Sequence, residues 1–228
     1  MTNPSDHPVD PSIDGSGAHG DATPDWPIAV RGVTESVVAT LGPNERWNMA
    51  ALGLHAPDQV GDPVTARTWG RTRTWRNFNE RESGVIQFTT DPVEFVDAAV
   101  TIREADTPVL PGADAWVEID VEAVGSGEQG DTPWVDWELT PVDSTVRRQR
   151  VPTINRGFGA VIDATVAASR LDVDAYPTDV LLDRLVYFAE TVEKCGGDDE
   201  RTAFATLDTE TGWRDRLSAG RSPPQFDQ

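Results

Sequence analysis

The sequence predicts a small antiparallel β-barrel followed by a helical extension. Six or seven β-rich segments at short spacing lie between residues 33 and 146, which is typical of small barrels. Residues 115–124 alternate apolar and acidic side chains, as expected of an antiparallel strand with one face in solvent. After Pro152 the apolar residues recur at helical spacing instead, which predicts that helices follow the barrel.

The elements of the predicted barrel follow in chain order. Strands are expected at residues 33–41, 46–54, 63–69, 84–90, 115–124 and 134–142, with a Gly-Pro-Asn turn after the first strand. Two short helices interrupt these strands. Thr74 is expected to cap the first of them. Asp91 is expected to start the second, with Pro92 at the first helical position and Glu94 three residues after the cap.

Three helices are predicted after the barrel. The first begins near Gly157, the second opens at Thr178 or Asp179 and ends at a Gly-Gly pair, and the third runs from about Asp198 to Leu207. Residues 1–24 are mostly Pro, Gly, Asp and Ser, and we predict a disordered acidic tail there. The resulting division is a barrel domain at 25–150, a helical subdomain at 151–210 and a second tail at 211–228.

The chain is strongly acidic, with 39 acidic residues, 19 basic residues and a formal net charge of -20. Lys194 is its one lysine. Such a surface suits a salt-rich cell interior, because about 1 M salt shortens the Debye length to about 3 Å and screens like-charge repulsion. We therefore predict a halophilic protein that loosens at low ionic strength. The charge argues against a nucleic-acid partner, since a duplex needs a broad basic face.

Other features of the composition predict the compartment. Cys195 is the single cysteine, which excludes an internal disulfide and fits a reducing compartment. No run of residues approaches the roughly 18 apolar positions of a membrane span. The N-terminus is acidic and lacks the basic-then-apolar order of a secretory signal. We therefore predict a cytoplasmic protein that does not contact membranes.

Positive charge is concentrated in two short segments of this acidic chain. The first contains Arg67, Arg71, Arg73 and Arg76, and the second contains Arg147, Arg148, Arg150 and Arg156. In the first segment the arginines alternate with threonines, and planar guanidinium groups beside short hydroxyls are typical donors to a phosphate. Alternatively, these arginines pair with carboxylates on a solvated face, where each pair contributes about 0–1 kcal/mol. Composition alone leaves both interpretations open.

Four sequence landmarks follow one another in the predicted barrel. They are a strand with Thr34 and Glu35, N-M-A-A at 48–51, T-R-T-W-R-N-F at 72–78 and E-S-G-V-I-Q-F-T-T-D-P at 82–92. In this order they resemble the flavin reductase-like split barrel that binds FMN. More closely, the chain resembles the largely archaeal DUF447 family of split-barrel proteins over roughly residues 26–208. The closer resemblance rests on the T-x-D-P-x-x-F step that ends at Phe95 and on the stretch that begins at Asn155-Arg156.

The resemblance implies FMN as the cofactor and places its phosphate at the turn that enters the first helix. The implied phosphate ligands are Arg71, Thr72, Arg73, Thr74 and Asn77, aided by the N–H groups and dipole of the helix N-terminus. The isoalloxazine ring is expected along the strand segment of Asn48, Met49, Ala50 and Ala51. The small alanines allow close approach of the ring, and the amide of Asn48 offers both a donor and an acceptor. Trp47, Trp69 and Trp75 are expected either to wall this pocket or to pack in the barrel.

The resemblance also implies a homodimer with two FMN sites at the interface. Arg156 and Arg170 are expected to reach the phosphate bound to the partner or to form structural ion pairs. In two respects the chain departs from the family pattern. Asp163 stands where Glu is expected, and Ala168 stands where a bulkier polar residue is usual. Both residues lie in the predicted helical extension, so these departures change the side chains that the extension could contribute to the FMN site.

The function favoured by the resemblance is an FMN flavoprotein with oxidoreductase capability. A hydride would pass to or from the flavin, and no protein acid or base is needed for that step. Two alternatives remain: a flavin-binding module without turnover, for storage, sensing or assembly, and a split barrel that uses a deazaflavin or haem.

Gly157-x-Gly159 lacks the third glycine of a dinucleotide fingerprint. These glycines are expected to allow close packing of their helix against the barrel. His55 is expected in a turn or surface role.

Overall fold

The computed structural model describes residues 25–59 and 61–220. Seven strands lie in this part of the chain: β1 (Val33–Leu41), β2 (Trp47–His55), β3 (Val64–Trp69), β4 (Ser83–Phe88), β5 (Arg103–Ala105), β6 (Ala115–Gln129) and β7 (Thr132–Val146). Six helices accompany them: α1 (Arg73–Arg81), α2 (Pro92–Val100), α3 (Arg156–Ala168), α4 (Thr178–Cys195), α5 (Asp198–Thr211) and α6 (Trp213–Gly220). The predicted tail at 1–24 lies outside the described residues.

The strands form a closed antiparallel barrel. Its order is β1-β4-β6-β7-β3-β2, and β2 pairs with β1 along its whole length to close the ring. The pairing of β2 with β3 involves Leu54 and His55 at the end of β2, whereas the beginning of β2 pairs with the short strand β5. The barrel is therefore split between β2 and β3, and the prediction of an antiparallel split barrel followed by helices is confirmed.

The alternation in β6 positions its side chains as predicted. Ala115, Val117, Ile119 and Val121 are buried, and the acidic residues between them are exposed. Both hairpin strands are longer than expected, because the Gly-rich segment between the two predicted strands also pairs, as far as Gln129 with Thr132. Gly127 allows this pairing, since a Cβ there would lie 2.6 Å from the ring of Trp134. A glycine that accommodates a large cross-strand side chain resembles a loop glycine in the sequence.

Two apolar cores share the barrel strands. The inner core fills the barrel and includes Val38, Leu54 and Ile86, with Phe78 of α1 closing over it. The outer core lies between the other face of β1, β2 and β4 and the helices. Val37 and Met49 contribute to the outer core from the strands. Alternate residues of β1 and β2 therefore face different cores.

The N-cap residue of α1 differs from the predicted one, whereas the N-cap residue of α2 is the predicted one. The N-cap of α1 is Thr72, whose hydroxyl accepts from the N–H of Trp75, so the prediction of Thr74 as the cap was wrong. Thr74 is instead buried within the first turn, because the helix starts two residues earlier than expected. Asp91 caps α2 as predicted, accepting from the N–H groups of Val93 and Glu94.

The helical extension continues beyond its predicted end. After Gly212, at a φ of 58°, the chain forms α6 in place of the tail that we predicted from residue 211. Trp213 begins α6, is fully buried, and packs edge-on against Phe204 with ring centroids 6.2 Å apart. The prediction of a tail was wrong for residues 213–220, because a short segment held mainly by one tryptophan shows little periodicity. Residues 221–228 lie outside the described part of the chain.

Gly157 marks the closest backbone approach in the helical extension. A Cβ at Gly157 would lie 2.4 Å from the Cα of Gly196, where α4 ends. This glycine therefore allows α3 to pack against the junction of α4 and α5, and not against the barrel as we expected. Neighbouring Gly159 is exposed, and a Cβ there would meet no heavy atom within 4 Å.

Gly157→Ala should destabilise the protein by about 1–3 kcal/mol, because the added methyl group forces α3 away from Gly196. Thermal unfolding followed by circular dichroism measures the change. Gly159→Ala is the matched control, and it should be neutral or stabilising by about 0.5–1 kcal/mol, since alanine is the better helix former. Equal stability of the two variants would contradict the close approach.

Candidate functional site

The N-terminus of α1 presents free backbone donors. Gly70, at a φ of 70°, turns the chain out of β3 and donates its N–H to Pro133 at the beginning of β7, at 2.7 Å. Thr72 then caps the helix through the N–H of Trp75, at 3.2 Å. The N–H groups of Arg73 and Thr74 have no acceptor among the described residues. Unpaired N–H groups at the positive end of a helix dipole favour an anion.

The four arginines of the first segment divide into two pairs. Arg67 forms a bidentate ion pair with Asp136, at 2.6 and 2.7 Å, and stacks 4.0 Å from the ring centroid of Trp134. The hydrogen bonds that Arg67 donates to Asp136 raise the pKa of Arg67 above its usual value. Arg73 pairs with Glu104 at 2.6 Å. For these two arginines the alternative of structural ion pairs is what the structure shows.

Arg71 and Arg76 have no carboxylate partner in the part of the chain that the structure describes. Both side chains are exposed, and Arg71 lies 5.9 Å from the ring centroid of Trp75, beside the N-cap of α1. Arg71 directly precedes the N-cap residue Thr72, so its unpaired positive charge belongs to the same turn as the free N–H groups of the helix. This arrangement provides charge and hydrogen-bond donors for an anion at one place.

Thr74 and Asn77 hold α1 against the barrel. Both are buried, and Asn77 donates its side-chain N–H group to the hydroxyl of Thr40 at 2.9 Å and to the carbonyl of Thr40 at 3.4 Å. The Oδ1 atom of Asn77 is buried without a hydrogen-bond partner in the described structure. An orphaned acceptor of this kind is uncommon, and it leaves one polar atom beneath α1 available to a donor.

The segment that we expected to contact the ring lies at the beginning of β2. Asn48 is buried and stands between Thr40 of β1 and Glu104 of β5. Thr40 therefore connects the segment to Asn77, because it pairs with Asn48 and accepts from Asn77. The structure thus links the beginning of β2 to α1 through two strands.

The other three residues of this segment alternate between the two cores. Met49 is 2% exposed, packs in the outer core and accepts a hydrogen bond from Gln87 at 3.7 Å. Ala51 packs beside it, and Ala50 packs against the inner core. Ala50 and Ala51 are each half-buried, so the surface open to a ligand here belongs to the two alanines.

Glu104 is a site residue that the sequence reasoning missed. Its carboxylate accepts from Arg73 at 2.6 Å and from Asn44 at 3.1 Å, and its carbonyl accepts from Arg46 at 3.3 Å. It lies directly opposite Asn48 in the β2–β5 pairing. It therefore joins the beginning of β2 to the first turn of α1. The signal was weak in the sequence, because β5 has three residues and no alternating pattern.

The three tryptophans Trp47, Trp69 and Trp75 differ in their exposure and in the core that they contact. Trp69 is 42% exposed and lies 5.5 Å from Arg67, so it forms part of the surface beside α1. Trp75 is partly buried against the inner core, and Trp47 packs against the outer core. Among the three, Trp69 alone exposes a large apolar surface next to the turn.

Arg156 and Arg170 belong to the helical extension. Arg156 is the exposed first residue of α3, a helix that packs against α2, α4 and α5. Arg170 stacks 4.9 Å from the ring of Tyr176. Arg156 therefore belongs to a helix on the outer core, whereas α1 closes the inner core of the barrel. Within one chain, the structure does not group Arg156 with the other predicted phosphate ligands.

A cavity of about 620 Å³ near the other end of α1 is lined by Glu82, Asp120 and Glu122 with Arg81, so its charge would repel an anion.

Burial raises the pKa of Glu35, and the nearby His55 opposes that shift. Residues 25–59 and 61–220 contain no group of three His, Cys, Asp or Glu side chains suited to a metal ion. None of the helices in those ranges could cross a lipid bilayer.

The donor set around α1 fits a phosphate better than any neutral ligand. It combines the charge of Arg71, the N–H groups of Arg73 and Thr74 and the hydroxyl of Thr72, all on one turn. Helix N-termini with basic side chains are common binding sites for phosphate groups. Asn48 at the beginning of β2 is linked to the same turn through Glu104 and Thr40, and the half-buried Ala50 and Ala51 follow it on opposite faces of the strand.

Comparison with solved structures supports the fold. An FMN-bound protein of the DUF447 family from Methanosarcina mazei is 24% identical to this chain, with a TM-score of 0.66. The match covers 80% of this chain and 96% of that one. A flavoredoxin from Methanosarcina acetivorans is 12% identical over 53% of this chain and 72% of its own, and its TM-score of 0.39 is too low to support an argument. A comparison with curated proteins found no match.

Family models match both parts of the molecule. The model described as the N-terminal domain of a protein of unknown function (DUF447) matches residues 34–148, which form the barrel. The model described as a protein of unknown function (DUF447) matches residues 155–209, which form most of the helical extension. The resemblance noted in the sequence is thereby confirmed, and this chain belongs to the DUF447 family.

Proposed function

We propose that this protein binds FMN at the N-terminus of α1 and is a flavoprotein with oxidoreductase capability. The observation that carries the proposal is the unpaired Arg71 beside the free N–H groups of Arg73 and Thr74. In a chain with a formal net charge of -20, an uncompensated arginine at a helix N-terminus is a specific attraction for an anion. The FMN bound by the relative from Methanosarcina mazei supports this identity of the ligand.

The residues around α1 have separate roles in this proposal. Arg71, Thr72, Arg73 and Thr74 hold the phosphate through charge, hydroxyl and backbone donors. Asn77 fixes α1 on Thr40 at 2.9 Å, so its role is to position the phosphate-binding turn. Ala50 and Ala51 lie on opposite faces of β2, and their small side chains allow the ring to approach the strand backbone, with Asn48 beside them at the beginning of β2. Met49 supports this strand from the outer core.

When bound, the flavin supplies the electron-transfer chemistry. The chain contributes binding, orientation and exclusion of water, which are functions that the observed donors and half-buried alanines can perform. The hydride step itself needs no protein acid or base. The same binding turn would also serve the second candidate, a flavin-binding module without turnover.

The identity of the ligand is tested by mass spectrometry of the small molecule released when the purified protein is denatured. We expect FMN, together with a flavin absorption spectrum of the native protein. Release of a deazaflavin or haem would support the alternative ligands and overturn the proposal. Bleaching of the spectrum by NADH or NADPH without oxygen distinguishes an oxidoreductase from a binding module, because only the former accepts electrons from the donor.

A second copy of the chain completes the proposed site. Val151 and Ile154 are 87% and 100% exposed just before α3, and Ile102 is 75% exposed before β5. Apolar residues with such exposure are typical of surfaces that another protein covers. Arg156, next to this segment, would then contact the phosphate bound to the partner. Light scattering after size-exclusion chromatography should give twice the mass of one chain, and a monomer with bound FMN would contradict this part of the proposal.

We further propose that the protein functions in the cytoplasm of a halophilic archaeon. The support is its acidic composition, with one lysine among 19 basic residues. Removing salt should lower stability, because repulsion among 39 acidic residues is then unscreened. A loss of about 2 kcal/mol would lower the unfolding midpoint by roughly 4–8 °C. Thermal unfolding in about 2 M and 0.05 M potassium chloride measures the change, with sucrose as a control for general solvent exclusion.

A further inference from the structure

A second anion-attracting cavity lies at one end of the barrel, away from α1. It has a volume of about 470 Å³ and is enclosed by the segment before β1, the ends of β4 and β7, the beginning of β6 and residues 148–150. Cavities of roughly 300–1,000 Å³ commonly bind small molecules. The turn before α1 is hydrogen-bonded to Pro133 near the beginning of β7, whereas Val146 at the end of β7 lines this cavity. The cavity and the N-terminus of α1 are therefore separate sites.

Positive charge exceeds negative charge in this cavity. Arg148 and Arg150 both approach the carboxylate of Asp114, at 3.4 and 2.8 Å. The Asp114 side chain is 13% exposed, whereas the Arg150 side chain is 51% exposed, so the carboxylate is covered and the guanidinium remains accessible. Two guanidinium groups against one carboxylate leave a net charge of about +1 in an acidic protein, which favours an anionic ligand.

The backbone holds these arginines in place. The N–H groups of Arg147 and Arg148 donate to the carbonyl of Asp114, at 2.8 and 2.9 Å. The guanidinium of Arg148 also donates to the carbonyl of Pro111 at 2.7 Å. Thr90 donates its hydroxyl to Asp114 at 3.3 Å, which fixes the carboxylate between the arginines. The cluster is therefore organised before any ligand arrives, which reduces the entropy lost on binding.

Apolar side chains form the remainder of the wall. Ile28, Phe88 and Val146 also line the cavity, and Val146 is 48% exposed. Phosphate alone would leave this surface in contact with water. We propose that the cavity binds a small organic anion whose charged group pairs with Arg148 and Arg150 and whose apolar body covers Ile28, Phe88 and Val146. The inference does not depend on flavin binding at α1.

Fluorine NMR with 4-fluorobenzoate tests this site in the full chain at constant chloride concentration. We expect saturable binding of one equivalent per chain. Arg150→Gln should weaken binding roughly tenfold or more, because one charge-assisted contact is lost. Arg76→Gln is the matched control, since it removes the same charge at an exposed position outside both this cavity and the phosphate-binding turn, and it should leave the affinity for 4-fluorobenzoate unchanged.

Two further probes test the charged group and the apolar body of the ligand separately. The uncharged 4-fluorobenzyl alcohol should bind much more weakly than the acid, and inorganic phosphate should compete poorly. Absence of saturable binding, unchanged affinity in Arg150→Gln, or equal weakening by Arg76→Gln would overturn the site. Equal binding of the alcohol would overturn the role of charge, and equal competition by phosphate would overturn the role of the apolar wall. Circular dichroism verifies that both variants remain folded.

Discussion

Phe78→Ala is expected to lower the free energy of unfolding by about 3–5 kcal/mol, because it removes a fully buried ring and leaves a cavity. Phe78 contacts Trp137 edge-on with ring centroids 5.2 Å apart, and it is the main apolar contact of α1 with the inner core. Loss of the ring should loosen α1 and thereby reduce flavin affinity as well. Chemical denaturation and fluorescence titration with FMN measure the two effects.

Phe204→Ala is the matched control for this substitution. Phe204 is 5% exposed and packs in the outer core, against Trp213 and away from α1. Its replacement should reduce stability by a comparable amount, about 3–5 kcal/mol, while flavin affinity stays unchanged in the folded protein. If the two variants lost flavin affinity equally, α1 would have no special role in binding.

Arg71→Gln should weaken FMN binding by roughly 10- to 100-fold, which corresponds to about 1.5–3 kcal/mol for a charge-assisted hydrogen bond. Stability should change little, because Arg71 is exposed and has no ion-pair partner among the described residues. The dissociation constant is measured by quenching of flavin fluorescence. The variant should also show a weaker dependence of affinity on salt, since one positive charge no longer contributes to attraction of the phosphate.

Arg76→Gln is the control with the same change in charge. Arg76 is exposed within α1 and likewise has no ion pair in the part of the chain described, but it lies two residues beyond Thr74, the last residue with a free N–H group. A local phosphate site predicts a clearly smaller loss of affinity in this variant than in Arg71→Gln, because Arg76 contributes only a general attraction that salt weakens. Equal losses in both variants would show that overall charge, and not the N-terminus of α1, determines flavin affinity.

The barrel was predictable because its strands follow simple patterns. The alternation in β6 specified both its fold and its buried face, and the Asp91-Pro92 start of α2 was read correctly from its capping residues. The cap of α1 was not, since Thr72 and Thr74 are equally suitable in the sequence and only packing decides between them. Trp213 was missed for a similar reason, because burial of a single large side chain leaves no periodic signal.

The candidate site was predictable in its residue types and less so in its pairings. The sequence indicated that the segment from Arg67 to Arg76 carries unusual charge, but it could not show which arginines find carboxylates. Arg67 pairs with Asp136, which is 69 residues away, and Arg73 pairs with Glu104, which is 31 residues away. Such partners are determined by strand register, so they emerge only when the barrel is assembled. The remaining unpaired Arg71 is accordingly a result of the fold.

The sharing of strands between two cores limits how this protein can be divided. Val37, Ala39 and Met49 lie on the outer face of the barrel, in one apolar core with α2 and with the helices that follow residue 150. The later helices α3 and α5 pack on α2. A fragment that ended near residue 150 would expose the part of this core that they cover, and such surfaces promote aggregation. We therefore expect a truncation between the two family segments to reduce solubility.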